Sequence, residues 1–135
     1  MKYKIEEIEG IGPTYGAKLK AAGIADTEAL LARCGARKGR ADLAKETGLD
    51  ETRILKWANM ADLMRISGVG EEFSELLEAA GVDTVKELQH RNAENLAARM
   101  AEVNEAKKLT RVVPAASQVA KWIEQAKTLT PMISH

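Results

Sequence analysis

Gly10–Ile11–Gly12 and the residues after it, Pro13–Thr14–Tyr15–Gly16–Ala17–Lys18–Leu19–Lys20, bring together the residue types that hold a phosphate. An oxyanion needs N–H donors at close range and no side chain in the way. Glycine lacks the Cβ that would block the approach and lets the chain turn through positive φ. A helix starting just past the turn adds unpaired amides and the positive end of its dipole. Gly10, Ile11 and Gly12, with the amides of Thr14, Tyr15 and Gly16, are expected to surround one phosphate oxygen. Pro13 has no N–H to give. The Thr14 hydroxyl is a further donor, and Lys18 and Lys20 bring charge. Contacts of this kind position a duplex without reading its bases, so weak sequence preference is expected.

The pattern occurs twice. Gly68–Val69–Gly70 aligns with Gly10–Ile11–Gly12 without a gap, as do Leu77 with Leu19, Gly81 with Gly23 and Leu88 with Leu30. This is an internal duplication. Glu71 and Glu72 follow Gly70 at once and repel phosphate, so the second copy reads as a folding or protein-contact element. Arg37, Lys38 and Arg40, flanked by Gly35 and Gly39, form an auxiliary basic patch. Leu43–Asp50 followed by Glu51–Leu55 resembles a helix-turn-helix, with Thr52, Arg53 and Lys56 on its second helix. Trp57 and Trp122 fall in equivalent amphipathic contexts and are expected to anchor the two cores.

No catalytic constellation is present. Cys34 has no base or orienting residue at a defined spacing and reads as a small buried side chain. His90 and His135 with one cysteine make no metal pattern. The glycine pairs lack the P-loop lysine and hydroxyl and do not follow a strand. The chain is therefore expected to be a non-enzyme without metal or cofactor.

Twenty basic residues are balanced by twenty acidic ones among 135, which argues against coating nucleic acid by bulk charge. A single cysteine excludes an intrachain disulfide framework and fits a reducing compartment. The N-terminus has no signal-like apolar core, and no segment is long enough to span a bilayer. A cytoplasmic protein without membrane contact is expected.

The elements that must position the turns are helices. Ala, Leu, Glu and Lys dominate, and Arg111–Val112–Val113–Pro114 is the one β-like stretch. Helices are expected near residues 4–9, 13–22, 27–34, 39–47, 51–58, 60–65, 71–80, 84–90, 93–101, 103–109 and 115–127. Thr84-x-x-Glu87 is a capping-box candidate, and Asp50 and Asn92 suit N-caps. Gly23 and Gly81 suit left-handed C′ positions. A short apolar helix, a Gly-apolar-Gly turn and a second helix make a helix-hairpin-helix. The expected fold is all-α, with two such repeats (SAM-like) packed as one compact helical body. Residues 1–58 make the first repeat, and residues 59–135 make the second with a C-terminal helix.

The whole chain resembles a bacterial family of tandem helix-hairpin-helix proteins known as domain of unknown function 4332. The resemblance runs from Ile5–Glu6–Glu7–Ile8–Glu9–Gly10–Ile11–Gly12 through Ile54–Leu55–Lys56–Trp57–Ala58–Asn59–Met60. It continues through Gly68–Val69–Gly70–Glu71–Glu72, Leu76–Leu77–Glu78–Ala79–Ala80–Gly81–Val82, Asn92–Ala93–Glu94–Asn95–Leu96 and Trp122–Ile123–Glu124–Gln125–Ala126. The broader helix-hairpin-helix class includes DNA repair and recombination proteins that hold backbone phosphate at the glycine turn. The resemblance implies that role for Gly10, Ile11 and Gly12. Related modules also mediate protein contacts.

Two functions follow as expectations. The first is a non-enzymatic module that binds double-stranded DNA through backbone phosphates at the first turn. The alternative is a protein-interaction or scaffold module without nucleic-acid binding.

Overall fold

Eight α-helices and one short 3₁₀ turn account for the regular structure of the computed structural model, which describes residues 2–135. Met1, where the N-terminal segment read above begins, lies outside the described residues. The 3₁₀ turn spans Ile5–Glu7, and α1 spans Gly12–Ala21. Then come α2 (Thr27–Cys34), α3 (Arg37–Thr47), α4 (Glu51–Leu63), α5 (Glu71–Ala79), α6 (Val85–Leu88), α7 (Ala93–Lys107) and α8 (Ala116–Lys127). No strand occurs among the described residues. Arg111–Val113 is a loop, and the one antiparallel bridge joins Lys4 to Asp26.

Local chemistry explains most helix ends. Asp26 accepts the Ala29 N–H at 2.8 Å and Asn92 accepts the Asn95 N–H at 3.0 Å, each closing a first turn. α1 and α5 end alike. Gly23 and Gly81 sit at φ of 87° and 97°, and the next residue donates back across the cap, Ile24 to Leu19 O and Val82 to Leu77 O, both at 2.9 Å. Two expected caps differ. The Asp50 side chain makes no cap bond. The Thr84 box is one-sided: Thr84 Oγ1 accepts the Glu87 N–H at 3.2 Å, while the Glu87 carboxylate turns to Arg91.

Two expected breaks are absent. Residues 51–58 and most of 60–65 form the single helix α4, and 93–101 with most of 103–109 form α7. Neither junction contains glycine or proline, and a polar Asn59 or Glu102 does not stop a helix. α6 is one turn rather than two. It is fixed from outside by Asp62, a buried carboxylate that accepts the Val85 N–H at 2.8 Å and pairs with Arg65 at 2.8 Å.

The apolar side chains form two clusters. Ile5, Ile8, Ile11, Leu19, Ile24, Leu30, Leu43, Ile54, Trp57, Met60 and Met64 make the first. Leu63, Ile66, Val69, Leu76, Leu77, Val82, Val85, Leu88, Leu96, Met100, Val119, Trp122 and Ile123 make the second. α4 supplies side chains to both. The chain then returns: the tail after α8 packs Ile133 on the first cluster, and the Ser134 N–H donates to Gly35 O at 2.8 Å.

Candidate functional site

The turn at Gly10–Gly12 closes when the Ile11 N–H donates to Ile8 O at 3.3 Å, with the Ile11 side chain buried beneath it. Gly10 and Gly12 take φ of 89° and 62°, the left-handed region that glycine reaches without strain. The amides of Gly10, Gly12 and Thr14 have no acceptor among the described residues, and all three residues are exposed. They are the orphan donors of a helix start, facing water.

The other expected donors fall elsewhere. The Ile11 amide is spent inside the turn, so Ile11 packs rather than binds. Gly16 is buried, and a Cβ there would lie 3.1 Å from Glu6 Cγ, so that glycine makes room for a side chain. Lys20 pairs with Glu6, whose carboxyl is held below its ordinary value first by that bond. Lys18 is exposed and forms no ion pair among the described residues. The Tyr15 ring packs on Trp57 at 5.2 Å between centroids, while Arg53 lies over the Tyr15 ring at 4.9 Å and donates to its hydroxyl.

The auxiliary basic patch is smaller than expected. Arg40 is only 4% exposed. Its guanidinium donates to Cys34 O at 3.0 Å, Gly35 O at 2.9 Å and Ser134 O at 2.6 Å. The Cys34 and Gly35 carbonyls are buried and need a donor, so Arg40 is a structural clasp and leaves the patch. Gly35 and Gly39 are packed in place, because each lies against backbone where a Cβ would collide. Arg37 and Lys38 remain exposed. Cys34 is fully buried, and burial pushes its thiol up to about 11, which leaves it protonated and unreactive at neutral pH.

The turn at Gly68–Gly70 is built the same way. The Val69 N–H donates to Ile66 O at 3.0 Å, and the amides of Gly68 and Gly70 have no acceptor among the described residues. Gly68 has φ of 91°, while Gly70, the N-cap residue of α5, is extended. Phe73 packs on Trp122 at 5.2 Å, as Tyr15 does on Trp57. Each turn glycine faces an indole: a Cβ on Gly10 would lie 3.9 Å from Trp57 Nε1, and one on Gly68 would lie 3.4 Å from Trp122 Nε1. Sequence reasoning paired the tryptophans with each other but missed that each one backs a glycine turn. Their recurrence 47 residues after Gly10 and 54 after Gly68 was the available signal.

The pKa of Glu71, just past Gly70, is raised above its ordinary value, first by hydrogen bonding with the Glu9 carboxyl just before Gly10, then by partial burial and the charges of Glu9, Glu72 and Glu75. Burial, then Glu9, raises Glu75 as well. A carboxyl raised by folding is protonated more readily in the native state. Its contribution to stability is full below the ordinary pKa and is lost as pH rises through the raised value. Glu71→Gln is therefore expected to raise the melting temperature at pH 7.5, with the gain vanishing as pH falls to about 4.5. Melting curves of both proteins across that range read the effect, and a pH-independent difference would contradict it.

A family model described as domain of unknown function (DUF4332) matches residues 9–129. The chain belongs to this family. The match covers both turns, both tryptophans and all eight helices. No curated protein and no solved structure matches the chain. Among the described residues, no helix is long and apolar enough to cross a membrane, and no group of three His, Cys, Asp or Glu residues is placed to hold a metal.

Proposed function

We propose that this DUF4332 chain is a non-enzymatic binding module built from two helix-hairpin-helix units, and that it contacts double-stranded DNA through backbone phosphates. The observation that carries this reading is the exposed turn at Gly10–Gly12, where the amides of Gly10, Gly12 and Thr14 have no acceptor among the described residues. Lys18 is the one expected lysine of this turn without an ion pair, and its charge supports the reading. Donors of this type bind the phosphate and leave the bases unread.

A duplex titration at low and moderate salt tests the proposal. Affinity is expected to fall with salt, and Lys18→Glu is expected to lower the salt slope by about 1. Gly12→Asp keeps a residue type that tolerates left-handed backbone, and places a carboxylate where the phosphate would sit. It is expected to weaken binding about tenfold or more. Circular dichroism establishes that both variants fold. Folded variants that bind like the wild type overturn the assignment.

A protein-interaction module is the second reading. Val112 and Val113, 67% and 40% exposed, favour it as adjacent uncovered apolar side chains on the α7–α8 loop. The apolar face of α8 does not, because Val119, Trp122, Ile123 and Ala126 are buried in the second cluster.

A further inference from the structure

We infer that the seat of the returning tail on α2 and α3 is a peptide-binding site whose partner is the tail of a second copy of this chain, the two copies exchanging tails reciprocally. The seat is built around Gly35 and Arg40 and does not depend on either glycine turn binding DNA.

The tail is held as a ligand is held. Ser134 offers both its main-chain groups: its N–H donates to Gly35 O at 2.8 Å, and its carbonyl accepts from the Arg40 guanidinium at 2.6 Å. Ile133 is an apolar anchor packed on the first cluster. Met132 O lies 2.4 Å from where a Cβ of Gly35 would stand. Gly35 has φ of −63° and ψ of −37°, which any residue adopts, so glycine is needed there to admit the tail and not to turn the chain. Main-chain bonds of this kind give affinity, and an apolar side chain in a pocket selects the segment.

The stretch that joins tail to body is barely fastened. Gln89 donates to Ala126 O at 2.8 Å and Leu129 O at 3.4 Å, which ties down the start of the tail. Beyond it Thr130 and Pro131 are exposed, and residues 130–133 form no hydrogen bond among the described residues. Leu129 and Met132 face Thr27 and Leu31 of α2 across a cleft of about 320 Å³, so the tail bridges open space before it is seated.

These features select the occupant. The seat belongs to the first half, the anchor lies past an unfastened linker, and a second copy carries both. Exchange keeps every contact of the closed chain, which is the condition for a reciprocal two-fold dimer. Within one copy the tail competes from an effective concentration of about a millimolar, so the closed monomer is expected to prevail at micromolar protein.

Two variants divide the halves of the contact between chains. Ile133→Asp spoils the anchor and leaves the seat open, so its Ser134 amide is expected to lose protection from hydrogen exchange. Gly35→Ala blocks the seat and leaves the tail intact. Unlabelled Gly35→Ala titrated into ¹⁵N-labelled Ile133→Asp is expected to move the Gly35 and Ala36 amides saturably, with light scattering reporting a species of twice the monomer mass. Unlabelled Ile133→Asp in its place is expected to move neither. If circular dichroism shows Gly35→Ala unfolded, the wild type at about a millimolar serves as the tail donor. A synthetic peptide of residues 129–135 is the second probe. It is expected to move the same amides, and the peptide carrying Ile133→Asp to bind about tenfold more weakly. A Ser134 amide still protected in Ile133→Asp, or two peptides that act alike or not at all, overturns the seat. A response to the peptide with none to a folded tail donor overturns the exchange between copies.

Discussion

Gly39→Ala is expected to lower the melting temperature by about 10 °C, although the same exchange in an ordinary helix interior stabilises by about 1 kcal/mol. Gly39 lies in the first turn of α3, against the last turn of α2. A Cβ there would overlap the Arg33 carbonyl oxygen and lie 3.8 Å from Cys34 Cα. The obstacle is backbone, so no rotamer relieves it and the helices must part. Parting them opens the first cluster at Cys34 and Leu31 and displaces Arg40, the neighbouring residue. Overpacking of this kind costs about 3 kcal/mol. Thermal denaturation followed by circular dichroism measures it. A variant as stable as the wild type would show that α2 and α3 are not in this close contact.

Arg40→Met is expected to cost about 3 kcal/mol, because it strips a charged donor from three carbonyls at once. Two of those acceptors, Cys34 O and Gly35 O, end α2, and the third, Ser134 O, lies in the returning tail. Methionine fills similar volume but donates nothing, so Cys34 O and Ser134 O lose the guanidinium and Gly35 O keeps only the Ser134 N–H. Arg40→Lys is expected to recover only part of the loss, since an ammonium cannot reproduce the planar fork. Chemical denaturation gives the cost. Hydrogen exchange gives its location: the Ser134 amide, bonded to Gly35 O, should exchange faster in Arg40→Met than in the wild type. Unchanged exchange at Ser134 would mean that the tail is held without Arg40.

What could be read in the sequence was what neighbours in sequence decide. α2 runs over Thr27–Cys34 as its pattern predicts, because Asp26 starts it and the apolar residues keep helical spacing. The caps at Gly23 and Gly81 were legible because a left-handed turn demands glycine locally. The junctions near 59 and 102 were not, because polar residues without a breaker leave propensity nearly flat. Arg40 was misassigned for a different reason. Its fate depends on Ser134, far along the chain, and a basic residue beside two others looks like a patch until that contact is known. The candidate site divides in the same way. Gly10, Gly12 and Thr14 follow from the local turn, whereas burial of Gly16 and capture of Lys20 both depend on Glu6 in the preceding 3₁₀ turn. The approach of the Trp122 indole to Gly68 needs α8 brought back across that turn, which no local pattern encodes.

α4 has a consequence for how the molecule comes apart. Its Met60 and Ala61 belong to one apolar cluster and Leu63 to the other, within a single rigid rod. Melting the first side would put Ile54, Trp57 and Met60 in water, and melting the second would expose Leu63 and take the Val85 N–H from the buried Asp62 carboxylate. Neither side therefore has a comfortable state in which the other is already lost, and denaturation is expected to be all-or-none along the whole chain.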